Sequence, residues 1–141
     1  EEKTTALDSF LLTDNGIKLL KGFKRANNIL VAEERKDGVN YELDPELKYM
    51  KNPYEKNLFD ALKKIQPEIE KELKKNDFET VLLKTSELLV PIDDFFREVK
   101  VNDESQIIRR NRLCLLNKVK NICSFFCDLT LIQDINSQIG N

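Results

Sequence analysis

Apolar residues recur at helical spacing along most of the chain. The first long apolar face covers residues 17–31 and comprises Ile17, Leu19, Leu20, Phe23, Ala26 and Leu30. Such a stripe is typical of an amphipathic helix packed in a bundle. Thr13, followed by Asp14, predicts the N-cap and acidic first turn of that helix. We predict a short apolar helix before it, from Thr5 to Leu12.

A long connection is predicted between this helix and the next. Residues 33–54 are charged and are interrupted by Asp37-Gly38, Asp44-Pro45 and Asn52-Pro53, so we expect one short helix there, at Pro45–Met50. The following stripe consists of Leu58, Phe59, Leu62, Ile65, Ile69 and Leu73. Pro67 lies within the stripe, and proline breaks or kinks helix interiors. We therefore expect a break near Gln66.

Three further helices are expected in the second half. Asn76-Asp77 can cap a helix over residues 78–89. Pro91 ends that pattern or starts the next turn, in which Ile92, Phe95, Phe96 and Val99 point one way. Asn102-Asp103 is predicted to cap the longest helix, from Glu104 to Ile132. The pattern predicts an all-α bundle of about five to seven helices. We expect residues 1–141 to form one domain, a fragment of a longer chain, because the sequence starts Glu1-Glu2 without methionine.

The composition agrees with a helical, heavily ionised protein and excludes several classes. The chain is 40% apolar and 34% charged, with 4 Gly and 4 Pro. No apolar run approaches the roughly 20 residues of a membrane span. An odd number of cysteines, three, favours free thiols and a cytoplasmic protein. The net charge of −2 means that any binding to a polyanion must depend on local clusters of Lys and Arg.

The residues required for most catalytic and metal sites are missing. The chain has no His and no glycine-rich phosphate loop, so we expect no catalytic residue and no metal in it. Cys114, Cys123 and Cys127 share one predicted helix, where they cannot surround a metal tetrahedrally, and are predicted to be core thiols. Asp93-Asp94 resemble paired acid/base carboxylates, but at a helix start they also complement the dipole. They remain candidate partners for an arginine.

One basic stripe has the pattern that phosphate binding requires. Five polar residues gather within roughly 120° on the helix over 17–31, opposite Phe23 and Leu30. They are Lys18, Lys21, Lys24, Arg25 and Asn28. Long cations along one edge can reach successive phosphates, and an amide can reach a base edge. An ordinary solvated helix face has the same pattern, and the pattern does not separate the two.

A second basic cluster surrounds Arg110. Arg109 and Arg110, with Lys120, fall on the polar side of the last helix, and we predict Arg109 and Arg110 as RNA contacts. Asn111 and Arg112 fall at the edges of the apolar arc. Arg112 is therefore expected to be a structural arginine that pairs with Asp93, Asp94 or Asp128. Lys118 completes the cluster.

Two blocks of sequence resemble a known family. Residues 89–101, LVPIDDFFREVKV, followed by Arg110-Asn111-Arg112-Leu113 and Leu115-Leu116, are similar to the C-terminal signature of bacterial glycyl-tRNA synthetase β subunits. Upstream, Gly16 with Leu19-Leu20 and residues 23–30, FKRANNIL, resemble an earlier block of that family. Glu55, Leu58 and Ala61-Leu62 fit between them. Residues 123–128 depart from the pattern, because the family usually has small or aliphatic residues before an aspartate there.

The resemblance implies a DALR-type anticodon-binding bundle that recognises tRNA-Gly in glycyl-tRNA aminoacylation. It also implies that catalysis, with ATP and Mg²⁺, takes place on a separate α subunit, in a tetramer of two α and two β subunits. This fragment would then hold no cofactor and would not be catalytic. The resemblance matches Lys24, Arg25, Asn28, Asn111 and Arg112 to family positions without deciding between RNA contact and packing. The alternative is a helical protein-interaction scaffold without RNA binding, whereas a stand-alone enzyme has almost no support.

Overall fold

A computed structural model describes the backbone of residues 13–140 and, in that range, the side chains of residues 13–122 and of Ser124. The helices are α1 (Asp14–Asp37), a 3₁₀ turn (Leu47–Tyr49), α2 (Pro53–Lys74), α3 (Phe78–Ser86), α4 (Leu89–Glu98) and α5 (Gln106–Gly140). The described part of the chain contains no strand, so the predicted all-α class is confirmed. The helix predicted from Thr5 to Leu12 lies outside the described residues.

Helix α1 begins where the sequence predicts and ends later. The Thr13 hydroxyl accepts a hydrogen bond from Gly16 N at 3.0 Å, which confirms the N-cap. The helix then continues past Val31 to Asp37 and ends at Gly38, whose φ of 69° is left-handed. Glycine adopts this conformation without steric cost. The predicted connection from Glu33 is therefore shorter, and within it the short helix is reduced to the single turn Leu47–Tyr49.

Helix α2 is continuous through Pro67, so the break expected near Gln66 is wrong. A capping box starts it: the Asn52 side chain accepts from Tyr54 N at 2.9 Å, and Glu55 Oε1 accepts from Asn52 N at 3.2 Å. Pro67 is exposed, whereas Leu58, Leu62, Ile65 and Ile69 are all buried. The apolar face therefore continues across the proline, and its burial outweighs the one lost backbone hydrogen bond.

Helices α3 and α4 follow the predicted caps and breaks. Asp77 accepts hydrogen bonds from Thr80 N at 3.1 Å and from the Thr80 hydroxyl at 2.7 Å, so it caps α3 as predicted. That helix ends at Ser86, three residues earlier than expected, and α4 then starts at Leu89 with Pro91 in its first turn. Proline is tolerated there because the first turn has no acceptors for its N–H groups.

Helix α5 runs from Gln106 to Gly140, so the predicted start at Glu104 is two residues too early and the predicted end at Ile132 is eight residues too early. Asp103 does not cap the helix directly. Its carboxylate accepts from Ser105 N at 2.9 Å, and Ser105 Oγ in turn lies 3.5 Å from Ile108 N, in the first turn of α5. The sequence therefore predicted a polar capping residue correctly, but placed it two positions before Ser105.

The core is formed by α5 against α1 and α2. Leu113, Leu115 and Leu116 are buried together with Leu19 and Phe23 of α1. Helix α2 packs against α3, α4 and α5, and α4 also packs against α1. The helices α1 and α4 therefore lie side by side at the surface and form the groove described below. Among the described residues, no helix is long and apolar enough to cross a membrane.

Candidate nucleic-acid interface

The polar edge of α1 carries the five residues of the predicted basic stripe. Burial of Leu19, Phe23, Ala26 and Leu30 fixes the rotation of the helix. The opposite surface is consequently in solvent, and each of these side chains is exposed: Lys18, Lys21, Lys24, Arg25 and Asn28. We call these five residues the basic edge. The structure thus places them together on one surface, as the helical wheel predicts.

The cations of the basic edge are unpaired within the described chain. Lys18, Lys21, Lys24 and Arg25 form no ion pair with a described residue, whereas other basic side chains, such as Lys84 and Arg97, do. Lys18 and Arg25 are separated by two helical turns, about 10 Å. The edge therefore presents uncompensated positive charge over a distance that spans more than one phosphate of a nucleic-acid backbone.

Two further cations extend the basic edge, and the prediction from the sequence did not include them. Arg35 and Lys36 are exposed in the last turn of α1. At about 100° per residue, Lys36 lies on the same side of the helix as Lys18 and Arg25. The prediction omitted both residues because it ended the helix near Val31. The signal that could have included them is Gly38, the type of residue that follows a helix C-terminus.

A groove separates the basic edge from α4. It has a volume of about 370 Å³, and the residues that line it include Lys18, Lys21, Gly22, Arg25, Leu89, Val90, Asp93 and Phe96. Gly22 allows the two helices to approach closely, because a Cβ atom there would lie 2.9 Å from Ile92 Cγ2. Arg25 lies over the ring of Phe96, with its guanidinium carbon 4.7 Å from the ring centroid. This cation–π contact restricts the guanidinium.

Arg109, which was predicted as an RNA contact, is not a free cation. Its guanidinium lies 2.7 Å from both Glu33 and Asp37, and its side chain is 11% exposed. It also donates to Asn102 Oδ1 at 2.9 Å and to the Tyr41 hydroxyl at 3.3 Å. These contacts fasten the end of α1 to the start of α5. Arg109 therefore contributes to the fold, and we leave it out of the interface.

The contacts around Arg109 shift the pKa values of Asp37 and Tyr41. The pKa of Asp37 is lowered, first by a hydrogen bond from Tyr41 at 2.5 Å and then by the one from Arg109. The pKa of Tyr41 is raised, mainly because burial disfavours its charged form and also because it donates to Asp37. The cluster is therefore most favourable with Asp37 ionised and Tyr41 neutral.

Asn111 and Arg112 are both buried, and Arg112 has partners other than those predicted. Arg112 donates to Glu55 Oε1 at 2.8 Å and to the Lys100 carbonyl at 2.5 Å, and it lies 3.5 Å from Asp103. Asp93 and Asp94 instead bind Arg97, and the side chain of Asp128 lies outside the described range.

Asn111 of α5 binds the connection between α1 and α2. Its side chain accepts from Glu46 N at 2.7 Å and donates to Glu46 O at 3.1 Å. This pair satisfies both backbone groups of Glu46. Neither Asn111 nor Arg112 is accessible, since both are buried. The second sequence block that suggested RNA recognition is therefore largely a packing motif.

Of the second cluster, Arg110 alone keeps the predicted exposed position without a described ion-pair partner. It precedes the buried run of residues 111–117 in α5 and is exposed. Lys118 is paired with Asp44 at 2.5 Å, and Lys120 is half-buried. The structure thus divides the predicted site residues into the basic edge with Arg110, and a structural group of Arg109, Asn111 and Arg112.

The described residues hold no candidate metal centre. They include no group of three or more His, Cys, Asp or Glu side chains close enough to share a metal ion. Cys114 is buried, and burial raises the pKa of its thiol. It behaves as a small apolar core residue, as predicted. The side chains of Cys123 and Cys127 lie outside the described range.

Comparison with known proteins gives one family and a consistent set of relatives. The family described as "DALR anticodon binding domain" matches residues 19–133. The chain is similar to proteins named "Glycine–tRNA ligase beta subunit" from Ruegeria sp. (strain TM1040), at 38% identity over 132 residues, and from Cereibacter sphaeroides (strain ATCC 17029), at 41% over 132 residues. These matches cover 94% of this chain and 19% of each relative, so the chain spans about a fifth of their length.

Proposed function

Since the chain belongs to the DALR anticodon binding domain family, we propose that it binds the anticodon region of tRNA-Gly as the tRNA-recognition part of a glycine–tRNA ligase β subunit. The observation that supports this most directly is the basic edge of α1, whose four cations have no described ion-pair partner. A surface of this kind attracts a polyanion even though the chain as a whole has a net charge of −2.

In this proposal the basic edge supplies phosphate contacts and only limited base recognition. Lys18, Lys21 and Lys24 neutralise backbone phosphates and release counterions, so binding weakens as salt rises. Phosphate contacts fix the position of the RNA, whereas sequence is read at base edges. Asn28 is the exposed amide on the edge and can both donate to and accept from a base. Arg110 is the candidate phosphate contact on α5.

The catalytic step is proposed to take place elsewhere in the enzyme. The described residues contain no candidate metal site. We propose that ATP and Mg²⁺ are used by a separate α subunit, that the enzyme is a tetramer of two α and two β subunits, and that it acts in the cytoplasm. This chain would then contribute the affinity and orientation of the tRNA and no reacting group.

The direct test is a salt titration of binding to tRNA-Gly, with an anticodon-substituted tRNA-Gly as competitor. We expect log Kd to rise linearly with log salt, and the substituted tRNA to compete less well. Equal competition would reduce the domain to a phosphate clamp without anticodon recognition. Absence of binding by the chain would contradict the proposal and favour the protein-interaction scaffold.

A charge-reversal pair tests whether the basic edge is responsible. Lys21→Glu with Arg25→Glu should abolish tRNA binding without changing helicity. The matched control is Lys56→Glu with Lys71→Glu, two exposed residues of α2, a helix that packs against α3, α4 and α5. Both pairs change the net charge equally. Equal losses from the two pairs would show that only the overall charge matters, and would remove the basic edge from the proposal.

A further inference from the structure

The groove between α1 and α4 differs chemically from a simple phosphate-binding surface. Its α1 wall carries Lys18, Lys21 and Arg25, but its α4 wall is formed by Leu89, Val90 and Phe96, with the carboxylate of Asp93 beside them. An anion placed fully inside the groove would meet Asp93, which is exposed and holds only a surface pair with Arg97 at 3.3 Å. The groove therefore suits a neutral, flat, partly polar group of a ligand whose anionic groups lie outside the groove.

Arg25 offers a flat surface for such a group. Its guanidinium is held over Phe96, and Phe96 is itself braced edge-on by Phe95, with ring centroids 5.6 Å apart and an interplanar angle of 77°. A planar cation with one face on an aromatic ring can stack a nucleobase on its other face. Val90, which is 65% exposed, supplies an apolar contact at the rim. A volume of about 370 Å³ falls in the range of small-ligand sites.

We propose that this groove receives one unstacked nucleobase of the bound RNA, stacked on the Arg25 guanidinium, with Lys18 and Lys21 on the flanking phosphates. This inference rests on the proposed function and adds a specific base site to it. A carboxylate only accepts hydrogen bonds, so Asp93 favours a base with an exocyclic amino group, namely cytosine, adenine or guanine, over uracil, whose single donor N3–H is flanked by two carbonyl oxygens that repel a carboxylate. Asp93, which the sequence assigned only a structural role, then becomes a specificity residue.

The test compares single-stranded oligonucleotides of equal length and charge. Oligocytidylate and oligoadenylate are expected to bind the chain about tenfold more tightly than oligouridylate, as measured by fluorescence anisotropy at fixed salt. Asp93→Asn should reduce this preference, because an amide also donates and can therefore bind the carbonyl oxygens of uracil. Equal binding of the three oligonucleotides, or no binding of any, would overturn the base site.

Two groove variants separate the base site from the phosphate contacts. Phe96→Leu keeps an apolar residue but removes the aromatic support of Arg25, and should weaken oligocytidylate binding about tenfold with an unchanged salt slope, because no cation is lost. Val90→Glu places a carboxylate at the rim and should have a similar effect on affinity. Its control is Leu83→Glu on α3, at a residue outside the groove lining that is also 65% exposed. It should bind like the unmodified chain.

The two proposals fail in different ways. If Phe96→Leu and Val90→Glu bind tRNA-Gly normally while Lys21→Glu with Arg25→Glu abolishes binding, the base site is wrong and the proposed function stands. If tRNA-Gly does not bind even the unmodified chain, the proposed function fails and the base site fails with it. Thermal unfolding of each variant identifies any loss of binding that results from unfolding.

Discussion

Arg112 on α5 and Glu55 on α2 form an ion pair of 2.8 Å at which both side chains are less than 10% exposed. Glu55 Oε1 also accepts from Asn52 N at 3.2 Å, so this one oxygen both completes the capping box of α2 and binds α5. The start of α2 is thereby linked to the N-terminal part of α5, at its second turn. A buried pair of this kind positions the helices more than it adds net stability.

Removing Arg112 should destabilise the protein strongly. Arg112→Met keeps much of the side-chain volume but leaves the Glu55 carboxylate buried without its cation, and we expect a loss of about 3–5 kcal/mol in the free energy of unfolding. Adding Glu55→Gln removes that isolated charge and should recover part of the loss. Urea denaturation measures both. A change below about 0.5 kcal/mol, the range of ordinary surface substitutions, would contradict the structural role of Arg112.

The neighbouring residues Arg109 and Arg110 should respond in opposite ways. Arg109→Ala removes hydrogen bonds to two carboxylates and is expected to cost about 2 kcal/mol of folding stability. Arg110→Ala alters an exposed side chain and should change stability by less than about 0.5 kcal/mol. Under the proposed function, Arg110→Ala should instead lower the slope of log Kd for tRNA-Gly against log salt concentration by about one. The reverse assignment of these two effects would restore Arg109 to the interface.

The features that the sequence predicted correctly are those that depend on neighbouring residues. The apolar face of α1 and the caps at Thr13 and Asp77 follow from spacing and side-chain chemistry within a few residues. The effect of Pro67 was mispredicted because only the helix-breaking preference of proline was considered. The buried apolar face that continues on both sides of it was left out.

The partners of the arginines could not be predicted for a different reason. Arg112 binds Glu55 and Arg109 binds Glu33 and Asp37, and these contacts join residues more than 50 positions apart. Helical periodicity states which face a residue occupies but not which helix packs against that face. The basic edge was identified from the sequence because it lies opposite the apolar face of its own helix and its side chains are exposed.

Stability should depend on Asp37 at acidic pH. Its pKa in the folded protein is lowered by Tyr41 and Arg109, so the unfolded chain takes up a proton at higher pH than the folded one. The contribution of this carboxylate is therefore fully present above its ordinary pKa of about 3.9 and is lost as pH falls through the lower folded value. Urea midpoints of the unmodified chain and of Asp37→Asn should converge as pH falls from about 7 to about 3.

A control for this pH dependence is available on α2. Asp60→Asn alters an exposed carboxylate that forms no ion pair with a described residue. Its urea midpoint should follow that of the unmodified chain over the same range. A stability difference between Asp37→Asn and the unmodified chain that stays constant down to about pH 3 would show that the Asp37 carboxylate is not the titrating group.

The contact between Gly22 and Ile92 sets the distance between α1 and α4. A Cβ atom at position 22 would lie 2.9 Å from Ile92 Cγ2, and a β-branched side chain cannot easily turn away. Gly22→Ala should therefore cost about 1 kcal/mol, because overpacking outweighs the gain in helix propensity. Ile92→Leu removes the branch that causes the clash, so the double variant should be more stable than the sum of the single effects by about 1 kcal/mol. Additive effects in urea denaturation would mean that the two helices are not in close contact at this point, and that another residue determines the width of the groove.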